Sequence, residues 1–182
     1  MIQAIRVRSQ TPRYRWRIVA GGGLVLACIH TLLLHRLKLG DFTPDLYAVF
    51  ALYLGLFASR QGRYVPCLVL GLIRDFFSIG LIGSYAVLFS LLHKAAGRAR
   101  RKLDPDKLLN VFIMCLIGTF LVNFGYHGML VISGYGVGWS RALVRCASIA
   151  AASAPVAVLV YPLAHMCLHR LGVGRSGGYW NI

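Results

Sequence analysis

Glutamate is absent from the 182 residues, and all five acidic side chains are aspartate. The material for carboxylate chemistry is therefore thin. No Gly-x-Ser-x-Gly elbow, no His-Glu-x-x-His pair and no closely spaced carboxylates occur, so an enzyme is not expected and no catalytic residue is assigned. The five cysteines, Cys28, Cys67, Cys115, Cys146 and Cys167, all lie inside apolar runs without Cys-x-x-Cys spacing. That excludes a disulfide framework and a zinc site, and no metal or cofactor is expected. No repeat of about 20 to 50 residues is visible. No polar stretch is large enough to fold as a domain outside a membrane.

What the chain does have is apolar length. Hydrophobic residues make up 58% of it and charged residues 14%, the balance of an integral membrane protein. A formal net charge of +15 raises the possibility of nucleic acid, but the cations sit in short gaps between apolar runs, a pattern of membrane topology. No nucleic-acid partner is expected.

Six apolar segments follow: residues 18–34, 46–59, 65–78, 84–96, 108–132 and about 146–167. The predicted fold class is all-α, a polytopic bundle of about six transmembrane helices. A basic leader (1–17) precedes the membrane domain (18–170), and a flexible tail (171–182) follows. Placing the gaps on alternate sides puts 15 of the 20 Lys and Arg on one side, against Arg36, Lys38, Arg141 and Arg145 on the other, with Arg74 left over inside the membrane. Cytoplasmic loops are the basic ones, so both termini are predicted to be cytoplasmic. Val25-Leu26-Ala27-Cys28 loosely resembles a lipoprotein cleavage box, yet the apolar stretch continues to Leu34 and no soluble domain follows.

The central block Val65–Leu92 holds the sharpest signal. As one straight helix it would measure roughly 42 Å, beyond a hydrocarbon core of about 30 Å. Two short helices joined by a turn at Gly80 and Gly83 fit better. Arg74 and Asp75 then fall near the end of the first arm, where each would cost on the order of 3 kcal/mol facing lipid. Asp75 shares a helix face with Gly71, whereas Arg74 points about 100° away and is a poor intrahelical partner. Asp75 is therefore expected to find another cation, with Arg141 and Arg145 as candidates. Two readings stay open: a structural ion pair or turn cap, and a polar contact to a partner's membrane helix.

Other motifs carry less. Asn123 and His127 are four apart, with a ligand contact or interhelical hydrogen bonding as alternatives. His165 and His169 have metal-pair spacing, but no third ligand is identifiable. Gly172 to Gly177 matches the dinucleotide pattern G-x-G-x-x-G without the strand it requires. Ala147, Ala151 and Ala154 form a small-residue stripe suited to helix packing.

Gly71-Leu72-Ile73-Arg74-Asp75, followed by Ile79-Gly80-Leu81-Ile82-Gly83-Ser84-Tyr85-Ala86, resembles the central signature of the rod shape-determining MreD family. The length agrees, as do the basic gap after the fourth segment and Ala154-Pro155 and Tyr161-Pro162 in the last helix. The resemblance spans about residues 18–170, and Arg74 replaces the family's usual apolar residue. It implies a non-enzymatic scaffold subunit of the bacterial cell-elongation machinery in the cytoplasmic membrane, supporting cell shape and peptidoglycan synthesis. The implied partners are an MreC-like membrane protein and, through it, RodA, a class B penicillin-binding protein and MreB. It also implies a bundle similar to the substrate-binding subunits of vitamin transporters. The alternative function is therefore a small-molecule-binding subunit of an energy-coupling uptake transporter, with Asn123 and His127 near the ligand.

Overall fold

The computed structural model describes residues 16–30, 42–57, 64–78, 81–100, 102–104, 107–135 and 138–170. The leader to residue 15, Gly80, the tail from 171 and the side chains of His165, Cys167 and His169 lie outside the described residues. Among the described residues there are six helices and no strand: α1 Trp16–Ile29, α2 Leu46–Phe57, α3 Val65–Phe77, α4 Ser84–Ala99, α5 Leu108–Ile132 and α6 Trp139–Arg170.

Two of these helices are long and apolar enough to cross a membrane, within Leu108–Ile132 and Trp139–Ala164. By contrast α2, with 12 residues, is about 18 Å long. Its sequence has no polar face to offer to water, and it packs against every other helix. Tyr47, Ala48, Val49, Leu52, Tyr53 and Leu56 are all buried around its circumference, so the core is organised about this one short helix.

The hairpin predicted for Val65–Leu92 is present as α3 and α4. Pro66 occupies the first turn of α3, where a missing N–H costs nothing. Gly83 precedes α4 with a φ of 94°, a left-handed conformation that a side chain would strain. Gly71 brings the two helices together. A Cβ there would lie 2.4 Å from the Ala86 Cα and 2.6 Å from the Tyr85 carbonyl oxygen, so only glycine fits.

The last helix starts at Trp139, ahead of the apolar segment that begins near Cys146, and Arg141 and Arg145 open it. Hydropathy marks where a segment becomes apolar, whereas helix geometry continues through arginine without penalty. The buried face of α6 is rotated by about one residue from the predicted stripe. Ala150, Ala154 and Ala157 are buried, together with Ser153, while Ala147 and Ala151 are exposed. The hydrogen bond from the Asp45 N–H to Ser153 Oγ fixes this rotation, because it demands that Ser153 face inward.

Candidate functional site

Asp45 immediately precedes α2 and caps it, its Oδ1 accepting the Ala48 N–H at 3.0 Å. The same carboxylate accepts an N–H from Asn123 of α5 at 3.1 Å and pairs with the Arg74 guanidinium of α3. Its backbone N–H donates to Ser153 of α6 at 2.8 Å. Four helices therefore meet at one acid that is 2% exposed. The fifth, α4, adds aromatic faces: the guanidinium lies 3.9 Å from the Tyr85 ring centroid and 5.6 Å from that of Phe89. Tyr126 of α5 stacks on the other side of the assembly, its ring 4.3 Å from Tyr85.

Burial of an ion pair is favourable only when geometry and extra hydrogen bonds offset the loss of hydration. Here the carboxylate has three donors, the Arg74 and Asn123 side chains and the Ala48 backbone N–H, and the cation has an aromatic bed, an arrangement suited to the flat, weakly hydrated guanidinium and poorly suited to a lysine.

Asp75, one residue along α3, is held quite differently. Its two carboxylate oxygens accept the backbone N–H groups of Gly83 at 3.0 Å, Tyr85 at 3.2 Å and Ala86 at 3.3 Å, and the Ser84 hydroxyl at 3.3 Å. These are the donors that the first turn of α4 leaves without an intrahelical partner, and the helix dipole places partial positive charge there. The side chain is thus a helix cap supplied by the neighbouring helix. A cation is unnecessary, which corrects the expectation that Arg141 or Arg145 pairs with it: both are exposed on α6, and among the described residues the Asp75 carboxylate forms no ion pair.

Of the residues singled out from sequence, Gly71, Arg74, Asp75 and Gly83 come together at the α3–α4 hairpin. Arg141, Arg145, Ala147 and Ala151 do not join them. Asn123 and His127 separate in role: the Asn123 side-chain N–H groups go to Asp45 and to the Thr119 carbonyl, while His127 is half-buried beside the Tyr126 ring. Among the described residues, no three metal-ligating side chains cluster. The residue sequence reasoning overlooked is Asp45. Thr43-Pro44-Asp45 ahead of an apolar run is a helix-start signal, and it announces the cap though not the arginine.

A family model for the rod shape-determining protein MreD matches residues 13–167. The chain belongs to the MreD family. The match covers both hairpin arms and the acid, Asp45, that lies outside the motif. Membership implies a part in rod shape determination at the membrane, for which the two long apolar helices are suited. MreD is a family of cell-shape proteins with no known enzymatic activity. No curated protein and no solved structure matches the chain.

Proposed function

We propose that this chain is a non-enzymatic scaffold subunit of the cell-elongation complex, a six-crossing bundle with both termini in the cytoplasm. It binds an MreC-like membrane protein and through it reaches RodA, a class B penicillin-binding protein and MreB. The observation that carries this reading is that the charged groups inside the bundle, and Asn123 with them, are spent on the chain itself. Asp45, Arg74, Asp75 and Asn123 all bond within the bundle, which favours a rigid body over a substrate site. A ligand role for Asn123 and His127, as in an uptake transporter, is not supported, because the Asn123 amide N–H groups are taken by Asp45 and the Thr119 carbonyl.

What a rigid body can offer is surface. The hairpin held by Gly71 and Asp75 presents Phe76, Phe77 and Ile82 at its tip, with Phe76 83% and Ile82 82% exposed. On α6, Ala147 and Ala151 give a small-residue seam that faces outward. The tip is the proposed contact for the partner. Phe76→Ser/Phe77→Ser is expected to leave melting in detergent nearly unchanged while abolishing co-purification of the MreC-like partner and rod growth. Intact co-purification and rod growth in this variant would refute the tip as the contact.

A further inference from the structure

One face of α4 runs outward as Val87, Leu91, Lys94 and Arg98, spaced by four, three and four residues. All four are exposed, while Ala86, Phe89, Leu92 and Ala96 on the other side are buried. The stripe changes from apolar to cationic over about 16 Å of helix axis. Among the described residues neither Lys94 nor Arg98 has an ion-pair partner, and the stripe carries no acid. Beside them Gly97 is open: an added Cβ would find nothing within 4 Å. No other part of the described chain covers this spot.

We infer that this stripe binds an anionic phospholipid, its phosphate held by Lys94 and Arg98 over the gap at Gly97 and an acyl chain lying along Leu91 and Val87. The order of the side chains matches the order of chemistry in a lipid, from hydrocarbon to charged headgroup. Long cationic side chains at such a boundary extend towards phosphate while their stems cover apolar surface. A partner helix would instead have to bring its own acid to the same height as Lys94 and Arg98.

The full chain purified in neutral detergent is to be titrated with phosphatidylglycerol, with phosphatidylcholine and with soluble glycerol phosphate, and bound lipid read by native mass spectrometry. Each cation near an anionic surface contributes about fivefold, so phosphatidylglycerol is expected to bind about 30-fold better than phosphatidylcholine. Lys94→Gln/Arg98→Gln should erase that preference. Lys94→Arg/Arg98→Lys should keep most of it, which separates charge from folding, and Arg141→Gln should leave it untouched. Equal binding of the two lipids, a preference that survives the double glutamine variant, or full competition by glycerol phosphate would each overturn the assignment. So would loss of a co-purifying acidic protein in that variant with the lipid preference intact, because the stripe would then be a protein contact.

Discussion

Asp45 and Asp75 are both buried acids that cap the start of a helix, Asp45 its own and Asp75 the next one, and they are stabilised by opposite strategies. Asp75 takes backbone N–H groups 8 to 11 residues away, all within one hairpin. Asp45 takes a guanidinium 29 residues away, an amide 78 away and, through its own N–H, a serine 108 away. The first is a local closure that a hairpin completes alone. The second exists only when α2, α3, α5 and α6 have assembled, so it acts as a lock on the bundle and not as a feature of any element.

The contrast is broken most severely from the Asp45 side. Asp45→Ala or Arg74→Ala leaves the surviving charge buried and unpaired, and a loss of roughly 3 to 5 kcal/mol is expected in detergent unfolding. Arg74→Lys should recover only part of the loss, because a lysine keeps the charge without the flat contact to Tyr85.

Damage on the Asp75 side should be smaller and confined to the hairpin. Gly71→Ala forces α3 and α4 apart against backbone atoms, at a cost of about 1 to 3 kcal/mol. Asp75→Ala removes a cap and is expected to cost about 1 to 2 kcal/mol, with Asp75→Asn milder because the amide oxygen still accepts. Hydrogen exchange should then rise at Tyr85 and Ala86 while α5 stays protected.

The smallest effects sharpen the register of α6. Ala150→Leu, on the buried face, should destabilise by about 1 to 3 kcal/mol, whereas Ala147→Leu, on the exposed face, should stay within about 0.5 kcal/mol. Matching losses at both positions would mean that the helix is rotated from the orientation that Ser153 imposes.

These differences track what a linear sequence can express. The 25 uncharged residues of α5 carry their own limits, and the predicted and observed boundaries coincide at Leu108 and Ile132. The hairpin was equally legible, since Gly71 and Asp75 four apart define a face and Gly83 a turn. The apolar segment of α6 marks only where the helix enters lipid, since hydropathy is silent about the helical turns that carry Arg141 and Arg145 ahead of it. Its buried face was not legible: alanine recurs along all of α6, and the inward-facing Ser153 marks the side on which Ala150 is buried and Ala147 is not. The ion pair of Arg74 was beyond local reasoning altogether. Its partner had the look of a helix boundary, and what joins the two is the packing of α2 at the centre of all the others.

The division of labour between the two acids is tested most directly by double-mutant cycles in detergent unfolding, using Arg74→Met with Asp45→Leu, Arg74→Met with Asp75→Asn, and Asp75→Asn with Arg141→Gln or Arg145→Gln. A coupling of about 1 to 3 kcal/mol is expected for Arg74 with Asp45, and near additivity for the other pairs. Additive losses for Arg74 and Asp45, with strong coupling between Asp75 and either arginine of α6, would contradict the assignment of Asp45 as the ion-pair acid and of Asp75 as a helix cap.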